Sequence, residues 1–231
     1  LKHPARTRKL VRPYEDIVAH GADGAKRQAE FERVSLMLLE DAARGVMKRC
    51  KLEPEDIDII VCSYMAGQTL PSLTSHIWGT LGLRDDVYTV IMGDMGCRAA
   101  VASLDVATRL LRSENRPKRA LVLSTEPVRN LFRSACNSGG VVGNTLFGEG
   151  SAAVVRSTYR EPARYTIKAQ QRVHRTDPDS LDAIKTVWQD GGPMIQLSKD
   201  IPSVAGKAIE TNLKRLVPMI LSPWDKLKFL V

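Results

Sequence analysis

The residue whose setting most suits chemistry is Cys97, which stands in the run VIMGDMGCRAAVASLDVATRLL. There an apolar, strand-like stretch gives way through two glycines to an alanine-rich stretch with helical character. A thiol at the start of a helix faces the positive end of the backbone dipole, and Arg98 adds a neighbouring cation; cysteines that act as nucleophiles sit in such settings. Gly96 allows the tight turn that would present the sulfur to a cavity. The expected strand–turn–helix geometry is that of a nucleophile elbow, although the GxSxG form is absent. Of the other cysteines, Cys62 lies inside an apolar run and is expected in the core, while Cys50 and Cys136 have no activating flank. The four cysteines form no CxxC pair and His3, His20, His76 and His174 show no HExxH spacing. No metal site and no disulfide framework is therefore expected, and the cysteine usage suits a reducing cytoplasm.

A second feature is the glycine-rich run GGVVGNTLFGEGSAAVV. It matches neither GxGxxG nor GxxxxGK[ST], and a strand follows it where a phosphate cradle would need a helix. Its small residues suit a pocket wall that lets the backbone approach a ligand. Phe147 then either projects into that pocket or serves as ordinary core packing. The formal net charge is +8, with basic residues grouped at Lys2, Arg6, Arg8, Lys9 and Arg12 and again in RSENRPKR. Only 5 % of residues are aromatic and none is interleaved with the basic runs, so a phosphate-bearing small molecule is expected rather than a nucleic acid.

The elements that must position these groups alternate along the chain. Residues 25–50 carry apolar side chains at helical spacing, and 57–63 form a short β-branched run of buried type. A helix through HIWGTLGL comes next, with Ser72 placed to cap it. VYTVIM (87–92) reads as a second buried strand, and the helix after Cys97 should end near Ser113. RALVLSTE (119–126) and SAAVVRS (151–157) complete four strands. Together these predict a mostly parallel sheet covered on both faces. Beyond it, 163–173 alternate like a strand with one wet face, DGGP marks a turn, and 200–217 suit a helix with Pro202 in its first turn. WDKLKFLV begins another apolar strand. The residues contain neither an eighteen-residue apolar run nor, at the start, the apolar stretch of a signal peptide, so a membrane span is not expected among them and a cytoplasmic location is.

In order and spacing, several segments resemble the type III polyketide synthases, the chalcone synthase-like branch of the thiolase superfamily. They are IDIIVCSYMAGQTLPSLTSHI, VIMGDMGCRAAVASLDVATRLL, RALVLSTEPVRNLFR, VVGNTLFGEGSAAVV, LSKDIPSVAGKAIE and WDKLKFLV. The resemblance implies an α/β, thiolase-like αβαβα layered fold. Residues 1–160 would be the N-terminal half with the nucleophile, and 161–231 the start of a C-terminal half. It implies that Cys97 takes an acyl group from acyl-CoA and that malonyl-CoA supplies the extending carbons, with cyclisation at the end. CoA thioesters are then substrates, no further cofactor is implied, and a homodimer is expected. Phe147 falls on the gatekeeper position, Leu131, Thr186 and Ile195 on cavity-shaping positions, and Arg8 and Lys9 on residues that hold CoA phosphates.

The family's catalytic histidine would come directly after Val231 and its asparagine would lie further on, so residues 1–231 alone are expected to be inactive. Thr186 stands where glycine is usual and Ile195 where phenylalanine is. Arg98 replaces an apolar residue, and SYMAGQT is one residue longer than the plant pattern. Two other readings fit the same residues: a beta-ketoacyl-ACP synthase III-like condensing enzyme, and a non-catalytic thiolase-fold subunit that pairs with an active partner.

Overall fold

The computed structural model describes residues 23–113, 115–116, 118–131, 138–159, 173, 175–189 and 192–220. Helix α1 (Gly24–Cys50) starts where the Asp23 carboxylate accepts the Lys26 N–H at 3.0 Å, and it ends at Lys51 in the left-handed region. Lys48 and Arg49 in its last turn complement the helix dipole. Strand β1 (Ile59–Ser63) is buried along its whole length. Helix α2 (Leu73–Leu81) is capped by Ser72, whose hydroxyl accepts the Ser75 N–H, and closes on the left-handed Gly82. Strand β2 (Tyr88–Met92), helix α3 (Ala99–Ser113), strand β3 (Arg119–Thr125), helix α4 (Ser138–Leu146) and strand β4 (Ser151–Ser157) come next.

The four strands form one sheet in the order β2-β1-β3-β4. β1 pairs in parallel with both neighbours, Ile59 lying opposite Tyr88 on one side and Ala120 on the other. The alternation of a strand divides β1 between two cores. Ile60 and Cys62 join Phe31, Leu39, Ile77 and Leu121 under α1 and α2, while Ile59 and Val61 join Ala107, Leu111 and Val122 under α3.

One expectation changes and two features are new. β2 is an edge strand with Tyr88, Thr89 and Ile91 exposed, because nothing pairs beyond it among the described residues. β4 runs antiparallel to β3, Leu121 opposite Val155, because the segment between them leaves and returns at one end of the sheet, where the Glu126 N–H donates to the Gly150 carbonyl at 2.9 Å. That segment carries α4, so much of the glycine-rich run is helical.

Beyond β4, β5 (Ile184–Gln189) and β6 (Gly192–Leu197) form an antiparallel pair on either side of the expected DGGP turn. Helix α5 (Ile201–Ile220) has Pro202 in its first turn, as expected, and runs three residues past the expected end. The strands expected at 163–173 and in WDKLKFLV lie outside the described residues, apart from Val173.

Candidate active site

Loops leaving the C-terminal ends of β1, β2 and β3 meet on one side of the sheet. This is where open parallel sheets whose strand order reverses, here about β1, place their ligands. A cavity of about 520 Å³ lies there, walled by Met65, Ala66, Gly67 and Gln68 after β1, Asp94 after β2, and Asn130 and Leu131 after β3. Gly24 and Gln28 of α1 and Thr186, Trp188, Gly192 and Pro193 of the hairpin close it. A second cavity of about 420 Å³ shares Gly67, Gln68 and Asp94 and extends to Tyr64, Leu70 and Ile91 at the sheet edge.

Cys97 occupies the short 3-10 turn Gly96–Arg98 between β2 and α3, and it is exposed. Two left-handed residues shape the approach, Asp94 at φ 54° and Gly96 at φ 57°. A positive φ costs little for glycine but is uncommon for aspartate, and such strain concentrates at functional sites. Cys97 does not itself line either cavity. Its turn adjoins them through Asp94, which lines both, and through Met65, whose Sδ lies 4.0 Å from where a Cβ on Gly96 would stand. Among the described residues, the other cysteines differ in kind. Burial pushes the Cys62 thiol up to about 12, and Cys50 sits exposed at the end of α1.

The expected cavity residues divide. Leu131 and Thr186 line the larger cavity. Ile195 is buried in the core opposite Thr186, and Phe147 packs half-buried against the same core, its N–H bonded to the Gly143 carbonyl; neither lines either of these two cavities. Arg8 and Lys9 lie outside the described residues. His76 is exposed on α2, away from both cavities, and among the described residues no group of histidine, cysteine, aspartate or glutamate is placed to hold a metal. No helix of the described residues is long and apolar enough to cross a membrane.

Sequence reasoning missed Glu126, Asn130, Gln28 and Trp188. Burial pushes the Glu126 carboxyl up to about 7, against the backbone N–H groups of Met65 and Ala66, which donate to it. The Asn130 amide donates to the Ala66 carbonyl at 2.8 Å. A signal was available for one of them: a carboxylate ending the apolar run RALVLST is out of place in a core strand, and the carboxyl ends of parallel strands are where sites form. Asn130, Gln28 and Trp188 gave none, since only the fold brings them together.

The arrangement is a thiolase-like fold, and the profile described as FAE1/type III polyketide synthase-like protein matches residues 17–231, so the chain belongs to that family. Among curated relatives it is similar to 3-ketoacyl-CoA synthase 8 of Arabidopsis thaliana, 33 % identical over 90 % of this chain and 43 % of the relative. It is also similar to 3-ketoacyl-CoA synthase 7 of the same plant, 31 % identical over 94 % of this chain and 47 % of the relative. The chain thus spans less than half the length of these relatives. Among solved structures it resembles the C-terminal type III polyketide synthase domain of Steely1 from Dictyostelium, with a TM-score of 0.82 at 26 % identity, covering 92 % of this chain and 60 % of that one. The fold of 1,3,6,8-tetrahydroxynaphthalene synthase from Streptomyces coelicolor A3(2) also matches, with a TM-score of 0.79 at 22 % identity over 90 % of this chain and 60 % of that one.

Proposed function

We propose that the chain belongs to an enzyme that condenses an acyl-CoA with malonyl-CoA through Cys97. The observation that carries this reading is an exposed cysteine on the strand-to-helix turn beside a cavity at the carboxyl ends of the parallel strands. The Cys97 sulfur attacks the thioester carbonyl, the carbon–sulfur bond to CoA breaks, and free CoA leaves with a proton. Loss of CO₂ from malonyl-CoA leaves its bonding electron pair as an enolate. The enolate forms the new carbon–carbon bond at the acyl carbon, and the Cys97 sulfur is expelled. Covalent catalysis of this kind divides one difficult step into two easier ones. The reaction needs CoA thioesters and no other cofactor.

The fate of the first condensation product distinguishes two readings. Repeated extension and cyclisation is the type III polyketide synthase outcome, supported by the likeness to solved structures. A single extension with release of a 3-ketoacyl-CoA is supported by the names of the curated relatives. Incubation of the full-length polypeptide with a panel of acyl-CoAs and malonyl-CoA, analysed by mass spectrometry, separates them: a cyclised product supports the first, a 3-ketoacyl-CoA the second. Absence of any acyl adduct on Cys97 would sink both.

The same reading includes a homodimer. Tyr88 and Ile91 on the open β2 edge are 58 % and 47 % exposed, and Leu70 on the neighbouring loop is 99 % exposed. An open edge with apolar side chains of this kind is a template for pairing with a second copy.

A further inference from the structure

The loop after β1 forms one wall of the larger cavity and also approaches the turn that carries Cys97, where the Met65 Sδ lies 4.0 Å from where a Cβ on Gly96 would stand. Two packing contacts and two polar ones hold it. Gly67 lies so close to α1 that a Cβ there would fall 2.5 Å from Cδ1 of the buried Phe31 ring, and the Tyr64 ring packs on the same phenylalanine at 6.4 Å between centroids. The other two contacts are polar and come from the segment after β3. The Glu126 carboxylate accepts the backbone N–H groups of Met65 and Ala66, and the Asn130 amide donates to the Ala66 carbonyl. The backbone at Met65 and Ala66 is therefore gripped on its donor and its acceptor sides. The remaining carboxylate oxygen of Glu126, Oε2, is buried and has no hydrogen-bond partner among the described residues. A buried polar atom left unpaired costs stability, so this group is held where packing alone would not put it.

We propose that Glu126, together with Asn130, is a positioning residue: it fixes the Met65–Gly67 backbone as a cavity wall and sets Met65 against the turn that presents Cys97. This rests on the reading of Cys97 as the nucleophile. The grip is strongest when the carboxyl is ionised, because only the carboxylate is acceptor at every lone pair. Few other groups bear on that ionisation. On β1 the titratable neighbour is Cys62, which the Glu126 charge pushes further up after burial has done most, and on α1 the buried Arg27 interacts with Asp23. Turnover should accordingly rise with pH as Glu126 ionises near 7.

The test uses the full-length polypeptide with an acyl-CoA and malonyl-CoA as probes, in the wild type and in E126Q, E126A and Cys97→Ala. E126Q keeps the shape and one acceptor oxygen but cannot ionise. It should lose the rise near pH 7 and turn over at the acid-limb rate of the wild type, while E126A should fall at least tenfold below wild type at pH 8. Hydrogen exchange provides a readout free of activity: protection factors at the Met65 and Ala66 amides should drop at least tenfold in E126A and by less in E126Q, with the rest of β1 unchanged. The proposal is overturned if E126Q keeps both the wild-type pH profile and the wild-type protection, or if E126A loses protection uniformly along β1. A Cys97→Ala variant that still condenses substrates defeats the parent reading instead, and the exchange data at Met65 and Ala66 stand or fall independently of it.

Discussion

At the residue scale the thiols provide a sharp contrast. Cys97 stands exposed on its turn, whereas Cys62 is buried in the central strand with its thiol pushed up to about 12. Iodoacetamide at pH 8 should alkylate Cys97 in the folded protein and reach Cys62 only after unfolding, as peptide mapping by mass would show. Glu126 offers a pH signature of its own. Burial raises its carboxyl from 4.5 to about 7, so between those values the folded chain keeps a proton that the unfolded chain releases. Its contribution to stability is present at low pH and is lost as pH rises through 7, by an amount on the order of 3 kcal/mol. E126Q should therefore melt at a higher temperature than wild type at pH 8 while turning over more slowly, an opposition that a purely structural residue would not produce. The type and setting of Cys97 were legible in the sequence because its signal is local. The link between Glu126 and Met65 was not, because it joins residues 61 positions apart.

At the element scale, legibility divided in the same way between local and distant causes. α1, α2 and β1 were foreseen, with α1 ending at Cys50 and Ser72 capping α2 as expected, because their apolar faces repeat at helical spacing and β1 is uniformly apolar; β1 starts two residues later than expected. The exposure of β2, the direction of β4 and the β5–β6 pairing were not foreseen. VYTVIM reads the same at the edge or the centre of a sheet, and strand direction depends on where the preceding connection returns. Helix α4 was hidden by its glycines, which individually disfavour helix by about 1 kcal/mol each against alanine. Gly67→Ala forces a Cβ to within 2.5 Å of the Phe31 ring and should destabilise the fold to chemical denaturant by about 1–3 kcal/mol through overpacking. On the hairpin, Trp188 is 75 % exposed at the cavity. Trp188→Ala should raise KM for long acyl-CoAs several-fold while leaving short ones little changed, since the truncation removes apolar surface worth about 1–2 kcal/mol to a chain that rests on it.

For the whole molecule, the resemblance gave the layered thiolase-like fold from the order of its motifs, and the likeness to solved structures bears this out. Of the cavity positions the resemblance implied, Leu131 and Thr186 line the larger of the two cavities, while Phe147 and Ile195 pack in the core. Which side chains border a cavity depends on small displacements of whole elements, and motif order does not encode them. The open β2 edge supplies the prediction at this scale. An Ile91→Asp variant of the full-length polypeptide should shift from dimer to monomer in sedimentation velocity, because a charge on that face opposes pairing of two copies.

The hydrogen bond from Glu126 to Gly150 ties together the two points at which the chain departs from and rejoins the sheet. A segment closed at its base in this way keeps the β3–β4 register while its exposed positions vary, and its buried Val128, Asn130 and Leu131 tie it to the core. Exchanging the exposed Val141, Val142 and Leu146 of α4 should therefore leave the surrounding scaffold able to fold, so that this surface and the architecture can diverge separately in evolution.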